Sequence, residues 1–418
     1  MRRLLVFAVI LVVSGAVFAV EQEAEDVRSI VEGIENAELR EQLLEELEEN
    51  PESDLSSIGL DGLNDLGGLE ELANIETLGL AKSQEVDMSP VSELPSLGCL
   101  MLFDCTKILW NSDSLNTSCE VLVISKSDLK EIDFVSKLPN LKMISIRDSS
   151  VNDLSSIKAL KGLRILSLKN FKGQKNLAFI GEMTSLKGLT IKGVEALKFP
   201  SFSKLRHLEW LDIADANSVD VRTINSRNTL RELYLKNDHI SNISFLKRLP
   251  NIEIAHLDDN PIKDFRPLSA LKKLKNVSLS NTGFSDFKVL GGMSELETVY
   301  AEGNGIASLD DAEELIGIKS LRLRNNKLKS LAGIKVLSSL TSLDVRDNRL
   351  SSIEEVAHLK KLGALCLSGN KIKSIAPVAE LSELWFLQLD SKLPNMEEAQ
   401  QVIGELRERN PDLYVWWD

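Results

Sequence analysis

One rhythm constrains this chain more than any other feature. The stretch LTSLDVRDNRLSSIEEVAHLKK (340–361) runs straight into LGALCLSGNKIKSIAPVAELSE (362–383), and the two share a skeleton. Each opens on Leu, carries aliphatics at the fourth and sixth places, and has Asn at the ninth. The opening residue can be followed through Ile75, Leu97, Cys119, Leu141, Leu163, Leu186, Leu208, Leu230, Ile252, Leu274, Leu296, Ile318, Leu340, Leu362 and Leu384. Thirteen of the fourteen spacings are 22 residues, and Leu163 to Leu186 is 23. A unit that short cannot enclose a core alone, so successive units must stack and share one. Leu55, Ile58, Leu60 and Leu63 predict one more, irregular coil ahead of Ile75.

Within a coil, places four to six alternate with a period of two, which predicts a short strand with one buried face. Leu350, Ile353, Val356 and Leu359 recur every three residues, which predicts a tight 3-10 return on the opposite side. Only 5% of the residues are aromatic, so the core must be Leu, Ile and Val. The ninth place holds Asn260, Asn304, Asn326, Asn348 and Asn370 in the later coils. An amide there can donate to and accept from turn backbone groups that would otherwise be buried unpaired. Earlier coils substitute Ser83, Cys105, Ser127, Ser149, Phe171, Val194, Ala216 and Asp238. Phe171 and Val194 cannot make those bonds, so the coils between 163 and 228 are expected to be less regular.

The pattern L-x-x-L-x-L-x-x-N-x-I-x-x-I resembles the 22-residue leucine-rich repeats of bacteria, as in internalin-like surface proteins. The match covers residues 55–394. It implies an α/β solenoid of 15–16 repeats, a horseshoe with a parallel β-sheet on its concave face and short 3-10 turns on its convex face. It also implies use as a binding scaffold. Ten of the fifteen coils depart from it by lacking the Asn, and neither the internalins' flanking immunoglobulin-like domain nor their sorting motif is seen.

A solenoid exposes its core at both ends and needs caps. Residues 20–54 place Val27, Ile30, Val31, Ile34, Leu39, Leu43, Leu44 and Leu47 mostly three and four apart, which predicts an acidic helical N-terminal cap. Residues 395–418 predict a helix from an Asn395 N-cap to about Arg409, then a last strand whose Trp416 and Trp417 cover the terminal coil. Residues 1–19 have Arg2 and Arg3, an apolar run and small residues near Ala19, the layout of a cleaved signal peptide, with an uncleaved membrane anchor as the alternative. An exported protein, secreted, periplasmic or at the cell surface, is therefore expected, with no stable membrane span after cleavage.

Motifs for chemistry are missing. The four histidines form no metal-type pair, and no phosphate loop, nucleophile elbow or dinucleotide fingerprint is present. Neither a cofactor nor a metal is expected, and the chain reads as no enzyme. His256 with Asp258 and Asp259 is the nearest thing to a metal cluster and is read as ordinary surface. The net charge of −14 is concentrated in residues 21–54, and no basic domain argues for nucleic acid. Four cysteines are too few for a disulfide framework. Asn116, Asn242 and Asn276 sit in glycosylation sequons.

Strand geometry predicts that places three, five and seven face solvent. In the early coils these places hold Cys99, Met101, Phe103, Val121, Val123, Met143 and Ile165. In the central coils they hold Trp210, Tyr234, Ile254, His256, Tyr300 and Arg322. Contiguous exposed apolar surface marks interaction sites, and Trp, Tyr and Arg dominate binding energy. The candidate partner-binding residues are therefore Trp210, Tyr234, Ile254, His256, Tyr300, Arg322, Met101, Phe103, Val123 and Met143. The expected ligand is a protein, with a glycan as the alternative. An intracellular regulatory scaffold and a structural envelope protein without a defined ligand are the competing functions.

Overall fold

The computed structural model describes residues 24–50, 53–194, 198–216, 219–225 and 228–418. The signal-like segment lies outside them. The chain forms two compact units, divided between His207 and Leu208.

In the first unit, helices α1 (Ala24–Gly33) and α2 (Ala37–Glu49) precede the repeats. Asn36 caps α2 by accepting from the Leu39 N–H at 3.1 Å, and Leu39, Leu43 and Leu47 are buried on one face. Gln42 fastens α2 to the first coil. Its amide donates to the Asp61 carbonyl at 2.7 Å and accepts from the Asp61 N–H at 2.8 Å. The irregular coil expected before Ile75 is real: Ser57–Asp61 pairs in parallel with Thr77–Ala81. Five further strands follow in register, Cys99–Phe103, Val121–Ser125, Met143–Arg147, Ile165–Lys169 and Gly188–Lys192.

In the second unit, nine repeat strands begin at Trp210–Ala214 and end at Phe386–Leu389, each parallel to the next. Helix α3 (Met396–Arg409) follows, with Asn395 accepting from the Glu398 N–H. The strand Tyr414–Trp417 then pairs with Phe386–Leu389. In both units the fourth and sixth places are buried, and 3-10 turns such as Glu354–His358 return the chain. The protein is a leucine-rich repeat solenoid.

The ninth-place ladder explains how each coil turns. Asn326 Nδ2 donates to the Ala301 and Leu323 carbonyls, both at 2.9 Å. Its Oδ1 accepts from Asn304 N–H at 3.0 Å and Ile306 N–H at 2.9 Å. Asn260 and Asn348 repeat the pattern. The first unit has no such Asn and uses hydroxyls: Ser149 Oγ accepts from Ser127 N–H, and Ser127 Oγ from Cys105 N–H. There the backbone also pairs with itself. Asp128–Glu131, Ser150–Asp153 and Lys172–Gly173 make a small second parallel sheet, which supplies partners that a hydroxyl cannot reach.

The coils holding Phe171 and Val194 keep their register, because both side chains are buried apolar fillers rather than hydrogen-bonders. Part of the stretch expected to be irregular, residues 195–197, 217–218 and 226–227, lies outside the described residues.

Candidate functional site

Parallel register stacks equal places side by side, so each solvent-facing place becomes a column of neighbouring side chains. In the second unit the fifth-place column runs Asp212, Tyr234, His256, Ser278, Tyr300, Arg322 and Asp344. Tyr234 and His256 meet edge to face with ring centroids 5.0 Å apart, and His256 reaches Tyr300 across Ser278 at 6.5 Å. Arg322 places its guanidinium 4.5 Å from the Tyr300 ring centroid. Ser278 turns its hydroxyl to Asp258, which leaves room for the two rings on either side.

Tyr234 donates its hydroxyl to Glu232 Oε2 at 2.9 Å. Burial, then the Glu232 carboxylate, pushes its phenol up to about 12, so it stays a neutral donor. His256 Nε2 is buried and has no hydrogen-bond partner. The three rings are half-buried and Arg322 is exposed. Ile254 lies in the adjoining third-place column, opposite Glu232. Trp210 is in that column too, on the far side of Glu232, and makes no ring contact with Tyr234 among the described residues. The structure thus joins Tyr234, His256, Tyr300 and Arg322, and leaves Trp210 apart. One rim of the face is an alternating charge ladder, with Lys275 on Glu253 at 2.8 Å and Lys319 on Glu297 at 2.6 Å.

The early cluster lies in the first unit. Val123 sits beside Met101, and Met143 between Val121 and Ile165. Val123, Met143 and Phe103 are half-buried, and Lys126 Nζ stands 5.1 Å from the Phe103 ring centroid. Met101 is only 7% exposed, however, because Gly79 on the neighbouring strand lets it fold down onto the sheet. Cys99 is equally buried. These two positions face the solvent side without being available on it.

Two expectations about other residues change. Trp416 and Trp417 form the last strand but do not seal the core. Trp385, Tyr414 and Trp416 are 57%, 54% and 48% exposed, and with Phe386 they make a run of neighbouring rings. Helix α3 covers the terminal core instead, through Ala399, Val402, Ile403 and Leu406. The sequon residue Asn116 is buried, its amide donating to the Val91 and Leu94 carbonyls.

The eighth place was not singled out in the sequence, yet it is special. Asp148, Asn170, Asp215, Asn237, Asp259, Asn281, Asn325 and Asp347 all have φ between 48° and 61°, and Gly193, Gly303 and Gly369 occupy the same place. The recurrence of Asp, Asn and Gly just before the ninth place was the available signal, since these residues tolerate left-handed backbone. No group of three His, Cys, Asp or Glu that could hold a metal occurs among the described residues. All four cysteines are unpaired thiols, and burial raises each of them.

No family model and no curated protein matches the chain. Solved structures do. A leucine-rich repeat protein of Leptospira interrogans aligns with a TM-score of 0.69 at 21% identity, covering 90% of this chain and 98% of that one. The internalin InlF of Listeria monocytogenes aligns with a TM-score of 0.53 at 23% identity, covering 86% and 92%. The ectodomain of the Arabidopsis thaliana receptor kinase GASSHO1/SCHENGEN3, solved in complex with CASPARIAN STRIP INTEGRITY FACTOR 2, aligns at 0.57 and 18% identity, covering 84% of this chain and 45% of that one. The shared feature is the fold: this chain has the leucine-rich repeat fold found in bacterial internalin-like proteins.

Proposed function

We propose that the protein is an exported, non-catalytic recognition scaffold that binds a partner protein through the sheet face of its second unit. One observation carries this reading: Tyr234, His256 and Tyr300, with Arg322 stacked on the last, form a continuous half-exposed aromatic column in a chain with few aromatics. Such groups dominate binding energy once a partner excludes water. The plant receptor ectodomain was solved in complex with a partner, which supports a binding role for a fold of this kind. Trp210 and Ile254 extend the contact on the neighbouring column.

Replacing Trp210 and Tyr234 together by Ala tests the reading. Proteins captured from an extract by immobilised parent chain should be lost from the double variant, while circular dichroism stays the same. Unaltered capture refutes the patch. Export rests on the residue pattern of positions 1–20 alone, and among the described residues no helix is long and apolar enough to cross a membrane. Mass spectrometry of material from the native host should find a chain starting near Val20 or Glu21; an N-terminus at Met1 in a cytoplasmic fraction removes export. A glycan ligand is favoured by the exposed rings Trp385, Tyr414 and Trp416. Capture that survives protease treatment of the extract, and is lost after glycosidase, selects it.

A further inference from the structure

The charged groups beside Arg322 are already matched. Asp344 stands opposite Arg322 in the strand register, yet its carboxylate is gripped by Arg346 through Nε at 2.9 Å, through Nη2 and through the backbone N–H. Arg324 Nε donates to Asp347 at 2.7 Å. Arg322 itself makes no side-chain hydrogen bond or ion pair among the described residues, and it is exposed. Stacking on Tyr300 limits the motion of its planar group and leaves the N–H fork toward solvent. In the same column, His256 Nε2 is a second polar atom without a partner.

We propose that Arg322 is the receptor for one carboxylate, from an Asp or Glu side chain of the bound protein segment, which lies across Tyr300 and His256. The assignment rests on the protein-binding reading above and names the partner's chemistry. Charge complementarity supports it: a free guanidinium fork matches the two oxygens of a carboxylate.

The test is fluorescence anisotropy with the full chain and two labelled probes, heptaglutamate and heptaglutamine. Heptaglutamate should bind saturably, weaken as salt rises, and bind about tenfold or more tightly than heptaglutamine. Arg322→Gln should lose about that factor. Arg322→Lys should fall between, because an ammonium lacks the planar fork. Arg349→Gln, at an exposed Arg beyond the strand, should bind as the parent does. Equal binding of the two peptides, binding of neither, or an Arg322→Gln variant matching the parent overturns the assignment. So does inorganic phosphate displacing heptaglutamate at lower concentration than acetate. If Trp210→Ala/Tyr234→Ala abolishes capture while Arg322→Gln leaves heptaglutamate binding intact, the face binds partners and only the carboxylate assignment fails. The converse result keeps the anion site and removes the partner patch.

Discussion

Asp238 is where the ninth-place ladder meets a residue that does not suit it, and Asp238→Asn is the sharpest test of the ladder logic. The side chain is 4% exposed. Its Oδ1 accepts from the Ala216 N–H at 2.9 Å, as an Asn oxygen would. Its Oδ2 is buried with no partner, at the place where Asn260, Asn326 and Asn348 each present a donor amide to backbone carbonyls. Burial, with Asp215 and Asp212 adding repulsion, pushes the carboxyl up to about 7 from an ordinary 3.8. A folded-state value raised above the unfolded one means that the folded protein holds the proton more tightly. Stability is then highest below about pH 4, falls as pH rises toward 7, and is flat above that. The gap corresponds to up to about 4 kcal/mol at about 1.4 kcal/mol per pH unit. Asp238→Asn removes the titration and restores the missing donor. The variant should therefore be more stable than the parent by up to about 4 kcal/mol at pH 8, with the advantage shrinking toward pH 4.5. Urea unfolding at pH 4.5, 6 and 8 measures this. Hydrogen exchange at the Ala216 amide gives a local readout should the two units unfold separately. An advantage that does not change with pH, or a variant less stable at pH 8, refutes the reasoning.

Asn326→Ala strands the Ala301 and Leu323 carbonyls and the Asn304 and Ile306 amides, and should cost about 3–5 kcal/mol in urea unfolding. Gly303 has φ +66° and a Cβ there would lie 2.0 Å from Asn281 Oδ1, whereas at Gly305, φ +73°, it would meet only the Lys327 side chain at an ordinary 3.7 Å. Gly303→Ala should therefore lower the melting temperature clearly more than Gly305→Ala, whose backbone penalty is about 1 kcal/mol. Expressed in a glycosylating host, the chain should carry glycan at exposed Asn242 and none at buried Asn116, as read by peptide mass spectrometry. Gln42→Ala should loosen α2 from Asp61, seen as faster amide exchange in Leu39–Leu47 with little change in the second unit.

The repeat, the strand in each coil, the 3-10 return and the Asn turn were all legible in the sequence. The strand and the 3-10 return depend on residues a few positions apart within one coil, the Asn turn reaches one coil back, and the coil recurs often enough to expose the pattern. The same locality explains what was missed. Met101 was placed on the solvent side correctly by alternation, but its burial depends on Gly79, one coil away. The run of rings at Trp385, Phe386, Tyr414 and Trp416 depends on which face α3 covers.

The sequence by itself determined the architecture, because a fixed aliphatic period leaves stacking as the only way to bury every coil. It also determined which places turn outward, because the strand alternation has no freedom. Only the tertiary structure decided which outward residues act together. Asp344 serves Arg346 and not Arg322, and Arg322 stacks on Tyr300, because such choices are made between side chains of adjacent coils competing for the same neighbour. That competition is settled by rotamers across the sheet, and the order of residues along the chain carries no record of it.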